Sequence, residues 1–206
     1  MSQANKRKDI KATEEVIQQV SSDPGYIQSL IVTLGCKSTD RFAAAKKLQL
    51  ISRVKPSVLY AYFEVFEKLL NSTSSVLLWN SIIILSHLVL VDVDKRFDNI
   101  CDTYYSHLWD GKLVTAANIL GSSGRIARCR PDLVENITAE LLKVDDIPLP
   151  TAECREVARG HVLSSFAEYP AILKTHKAAY DFIVRCTRSH RLTVKKQAEE
   201  LLNRIG

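Results

Sequence analysis

Glycine and proline are scarce in this chain, seven and six in 206 residues. So few turn-formers disfavour a β-sandwich or barrel, which spends them on many tight connections. Five cysteines stand at 36, 101, 129, 154 and 186. They are odd in number, widely spaced and form no C-x-x-C pair. That excludes a disulfide framework and points to a reducing, cytoplasmic setting. The longest apolar run, Val76 to Val91, is interrupted by Asn80, Ser81, Ser86 and His87. It is shorter than the roughly 20 residues a membrane span needs, so a buried helix is expected there. Residues 1–11, MSQANKRKDIK, are basic and polar and lack the apolar core of a secretory signal.

What remains is ordinary globular composition: 46% hydrophobic, 25% charged, net charge +5. The length suits one substantial domain, 10–206, behind a loose basic tail, 1–9. Apolar residues recur at three- and four-residue steps almost throughout. Leu59, Tyr62, Phe63, Phe66 and Leu70 form one stripe; Phe97, Ile100, Tyr104 and Leu108 form another. Such steps define amphipathic helices, and no run alternates with the period of two that strands require. Helices are expected over 10–20, 24–35, 40–54, 56–70, 75–90, 93–109, 113–128, 131–144, 151–168, 170–184 and 192–205.

The helix starts are themselves periodic. Pro56, Pro131 and Pro170 sit at first turns, where proline costs no hydrogen bond. Asp94 is the expected cap of the helix between the first two. The steps are close to 38 residues, the signature of a helical repeat array. Two segments carry a family resemblance. Asp40-Arg41, Ala43-Ala44-Ala45, Leu48 and Ile51 resemble the first helix of a HEAT repeat, as do Val194-Lys195, Ala198, Leu201-Leu202 and Ile205-Gly206. The resemblance implies an all-α, right-handed superhelix of about five stacked helical hairpins, a HEAT-like α-solenoid. Within it, Ser75–Leu90 is apolar nearly all round, so Trp79 is expected to be buried between neighbouring repeats.

No nucleophile motif, zinc-ligand set or phosphate loop is present. Gly121-Ser122-Ser123-Gly124 lacks a following Lys-Ser/Thr, and its apolar period continues, so it reads as a helix segment that permits close packing. Cys186/His190 and Cys154/His161 share helical faces but have no third ligand nearby. Neither a cofactor nor a metal is therefore expected. Trp109-Asp110 invites comparison with the HEAT-like alkylpurine DNA glycosylases, but their motif cannot be placed, and Trp109 reads as a helix-end packing residue.

Charge is more informative. The HEAT resemblance implies that second helices line the concave surface. The spans 56–70, 92–109 and 131–144 carry nine acids against four bases, whereas 40–55 and 112–130 are each net basic. The expected function is thus a non-enzymatic scaffold binding a protein partner, with contacts at Tyr60, Glu64, Asp98, Asp102, Glu135, Lys177 and Asp181. These positions lie opposite each helix's apolar stripe. The alternative is nucleic-acid binding through the dense basic cluster Arg185, Arg188, Arg191, Lys195 and Lys196.

Overall fold

The computed structural model describes residues 14–205. The expected tail, residues 1–9, and Gly206 lie outside the described residues. The described residues are mostly helical, with no strand among them, and divide into two compact units at Arg96/Phe97.

The first unit opens with helical residues 14–22 (α1). It continues through α2 (Tyr26–Gly35), α3 (Asp40–Val54), α4 (Phe63–Leu70) and α5 (Ser75–Leu88). Helix α3 lies between α2 and α5, and α4 packs on α5. Ala44, Leu48 and Ile51, at helical spacing, turn inward and are buried. Beside them, Ser52 Oγ and His87 Nδ1 form a buried hydrogen bond of 2.9 Å that ties α3 to α5. Phe63 and Phe66 of α4 are fully buried. Trp79 is not: it is half-buried. Positions 76, 79, 80 and 83 share one helical face, and all four remain partly open. The aromatic anchors of this unit are therefore on the second helix, not at the tryptophan expected to fill that place.

The second unit contains α6 (Cys101–Ser106), α7 (Leu113–Cys129), α8 (Val134–Leu142), α9 (Ala152–Phe166), α10 (Pro170–Leu173), α11 (Lys177–Cys186) and α12 (Leu192–Ile205). Helix α9 packs between α7 and α12, while α8 contacts both α7 and α11. Long first helices thus stack on one another, with short second helices beside them.

The second helices differ from the continuous spans expected. The spans 56–70, 93–109 and 131–144 are broken into 3-10 turns and short α segments, as at Pro56–Val58 and Tyr60–Tyr62 ahead of α4, and 170–184 is split into α10 and α11. Bonds such as Leu59 N to Pro56 O (3.0 Å) and Tyr62 N to Leu59 O (2.9 Å) are of the i→i+3 kind. Proline supplies no N–H, and the β-branched and aromatic residues that follow are poor helix formers, so the tighter turn is adopted. The expected cap Asp94 is also displaced by two residues. The turn Arg96–Ile100 starts later, and Asp92 Oδ1 accepts from Arg96 N at 2.8 Å.

The Gly121–Gly124 string is helical and forms the crossing of α7 with α9. A β-carbon on Gly124 would stand 2.5 Å from the Ser165 carbonyl oxygen, so only glycine fits. Gly124 N donates to Ser165 Oγ (2.9 Å), and Ser165 Oγ donates to Leu120 O. Tyr105 OH reaches the same helix through Ser123 Oγ at 3.1 Å.

Candidate partner-binding site

In the first unit, the 3-10 turns before α4 aim Tyr60 at the loop after α5. Its hydroxyl proton is shared between Asp92 Oδ1 (2.7 Å) and Asp94 Oδ2 (3.2 Å). Burial and the Asp92 hydrogen bond push the phenol up to about 12. The Arg96 guanidinium lies 4.7 Å from the Phe63 ring centre and 5.7 Å from that of Tyr60, and reaches Glu64 Oε1 at 3.3 Å. Tyr60 is therefore committed to holding its own loop, and Glu64 is exposed but already paired.

In the second unit, Asp98 is also engaged. Arg130, buried at the end of α7, spans Asp132 with Nε and a terminal nitrogen (2.8 and 2.7 Å) and pairs with Asp98 at 2.7 Å. Lys177 pairs with Asp181 (2.7 Å) one turn along α11. Glu135 is exposed and meets His176 Nε2 at 3.3 Å. The other ring nitrogen of His176 accepts from Ala179 N (3.2 Å) and caps α11. Glu135, His176 and Lys177 line one shallow hollow with Ile172 and Thr175.

Of the expected contact residues, Asp102 alone opens into a deeper cleft. It is bounded by α6, the 3-10 turn His107–Asp110 and α8, and encloses about 360 Å³. Asp102, Tyr105 and Trp109 line one side, and Asn136, Glu140 and Lys143 the other. Trp109 is 47% exposed. Lys143 is bound to Glu140 at 2.6 Å, which leaves the cleft with an excess of negative charge. The Cys101 thiol also lines the cleft. Burial pushes it up to about 11, with Asp102, Asp98 and Glu140 adding to the shift. A half-open indole beside carboxylates is suited to a cationic side chain, which the ring face and the acids attract together.

Trp109 is the functional candidate that sequence reasoning misread. It stands at a helix end, as expected, but about half of it is open to solvent rather than packed. The signal was present in the pattern: the stripe Phe97, Ile100, Tyr104, Leu108 leaves position 109 about 100° away from the buried face. Gly111, at φ 69°, then ends the segment in the left-handed conformation and keeps the indole at a helix terminus.

The basic cluster at the C-terminal end is largely spent. Arg191 binds Glu153, His190 Nε2 lies 3.7 Å from the same carboxylate, Arg185 reaches Asp145 at 3.8 Å, and Lys195 reaches Glu199 at 4.0 Å. Arg188 and Lys196 are exposed without such partners among the described residues. Among the described residues, no three potential metal ligands converge, and no helix is long and apolar enough to cross a membrane.

No protein-family model matches this sequence, and neither does any curated protein. Solved structures do resemble it. A designed armadillo repeat protein in complex with the peptide (KR)4 aligns with a TM-score of 0.70 at 15% identity, over 97% of this chain and 91% of that one. A second designed armadillo repeat protein aligns with a TM-score of 0.50 at 15% identity, over 86% of this chain and 99% of that one. The fold is thus a HEAT/armadillo-like array of helical repeats.

Proposed function

We propose that this chain is a non-enzymatic interaction scaffold whose acidic cleft, at Asp102, Trp109, Asn136 and Glu140, receives a basic segment of a partner protein. The observation that carries this reading is the half-exposed indole beside two carboxylates, Asp102 and Glu140, of which Lys143 pairs only with Glu140. A Lys or Arg side chain stacked there gains about 0.5–2 kcal/mol from the ring, besides the carboxylate attraction. The (KR)4 peptide bound by a structural neighbour supports a ligand of that kind. Burial holds the cleft's thiol in the protonated form, which supports binding over nucleophilic chemistry by that group. The five free cysteines fit a cytoplasmic setting.

The test is titration of the full chain with labelled (KR)4, using an acidic (DE)4 peptide as control. Asp102→Lys with Glu140→Lys should abolish binding, and Trp109→Ala should weaken it several-fold. These positions are better probes than Asp98, whose replacement would also strip Arg130 of a partner. Binding that survives the Asp102/Glu140 pair, or no binding at 50 mM salt, would sink the proposal.

A further inference from the structure

We infer that the exposed face of α3 binds the phosphate backbone of double-stranded nucleic acid, independently of the acidic cleft. Between Lys37 and Lys55 the chain carries six bases (Lys37, Arg41, Lys46, Lys47, Arg53 and Lys55) against one acid, Asp40. The helices that flank α3, α2 and α5, contain no Asp or Glu, so nothing in that layer cancels the charge. Asp40 itself accepts from Ser38 Oγ at 3.0 Å. Among the described residues, none of Lys37, Lys46, Arg53 or Lys55 has a carboxylate partner. This differs from the C-terminal cluster, which is denser in sequence but partly paired, with Glu153, Asp145 and Glu199.

The arrangement suits a phosphodiester backbone. Ala44, Leu48 and Ile51 hold the opposite side of α3 in the core, so Lys46, Lys47 and Arg53 stay exposed on one rigid helix. Lys46 and Arg53 are two turns apart, about 10 Å along the axis. That is about three phosphate steps of one strand. A single strand would need open rings on which bases stack. Here the Arg41 guanidinium covers Phe42 (4.9 Å to the ring centre), Lys47 Nζ stands over the partly buried Tyr26 ring (5.9 Å), and the exposed apolar neighbours, Val32 and Val54, are aliphatic. The same absence of an exposed Trp or Phe on this face disfavours seating in a lipid interface. Contacts made by lysines and arginines to phosphates alone are independent of sequence and steeply dependent on salt.

The experiment measures binding of the full chain to a labelled 20-base-pair DNA duplex of arbitrary sequence by fluorescence anisotropy, across 50–200 mM salt. Wild type should bind in the micromolar range at 50 mM and lose affinity steeply as salt rises. Lys46→Glu, Lys47→Glu and Arg53→Glu together should weaken binding at least tenfold and flatten the log–log salt slope by about 2 to 3, near 0.9 per phosphate contact removed. The three Gln replacements should flatten it likewise, and circular dichroism should show both proteins folded. Arg188→Glu with Lys196→Glu should change affinity less than twofold. Failure of the wild type to bind at 50 mM would overturn the inference, as would equal losses in the α3 and C-terminal variants. So would tighter binding to phosphatidylserine vesicles than to the duplex. The α3 variants should bind (KR)4 unchanged, which separates this surface from the acidic cleft.

Discussion

Replacing Gly124 by alanine tests the closest contact in the second unit. The added β-carbon would lie 2.5 Å from the Ser165 carbonyl oxygen, 2.6 Å from Ser165 Cα and 2.9 Å from Glu168 Cγ. Two of these atoms are backbone of α9, which cannot swing aside as a side chain can. Relief requires α7 and α9 to separate, and overpacking of this kind costs about 1–3 kcal/mol. Separation also lengthens the Gly124 N to Ser165 Oγ bond, worth about 1 kcal/mol. Against this, alanine in a helix interior is favoured over glycine by about 1 kcal/mol. The net expectation is a loss of about 1–3 kcal/mol, a fall in Tm of about 3–10 °C for a chain of this size. Gly121→Ala is the matched control, one turn earlier on the same helix. Its β-carbon meets the partly exposed His161 ring at 3.1 Å, a side chain rather than backbone, so stability should hold within about 0.5 kcal/mol. Thermal melts followed by circular dichroism decide the matter. Should Gly124→Ala melt at or above wild type, the close crossing is refuted. Should both variants fall equally, the effect belongs to the helix and not to the crossing.

Arg130→Ala should destabilise the chain by about 1–3 kcal/mol in denaturant titration, less than a fully buried pair because Asp98 and Asp132 are partly hydrated. Arg130→Lys should recover little of it, since a point charge cannot reproduce the fork on Asp132; full recovery would contradict the geometry. Alkaline pH should also weaken the fold. Tyr60 is raised from its ordinary value near 10 to about 12, and burial raises Tyr104, Tyr105 and Tyr169 as well. A folded-state value above the unfolded one means stability that is complete below about pH 10 and lost as pH climbs through 12. Denaturant midpoints should drop between pH 9 and 11.5, less so in Tyr60→Phe, and equal midpoints would refute the assignment.

Much of this fold was legible in the residues. The starts of the long helices, at Asp40, Ser75, Leu113, Ala152 and Leu192, fall 35 to 40 residues apart, as the near-38 step required. Pro56, Pro131 and Pro170 each open a helical segment. What periodicity missed was the quality of the second helices. A stripe such as Leu59, Phe63, Phe66 is compatible with 3-10 and α turns alike, and proline with bulky neighbours tipped the balance toward the former. Trp79 was misjudged because an apolar run does not reveal which of its faces is covered. The cap falls at Asp92 and not at the expected Asp94, because where the turn starts is invisible until the structure places it.

Local patterns determined that this chain is a helical repeat array, because burying one stripe per helix is a demand each segment makes on its own sequence. The same is true of Gly121–Gly124 as a site of close packing, since small residues on a helix have no other side chain to offer. The functional surfaces were decided by tertiary structure. Charge counted along the chain singled out 185–196, yet folding brings Glu153 and Asp145 from elsewhere against those arginines and leaves the sparser α3 face uncancelled. Tyr60 and Asp98 looked like free contacts until Asp92 and Arg130 arrived from 32 residues away to hold them. Electrostatic neutralisation acts over a few ångströms of space, not of sequence. Only the folded chain sets α6 and α8 on either side of one cleft and so brings Trp109, Asp102 and Glu140 around it.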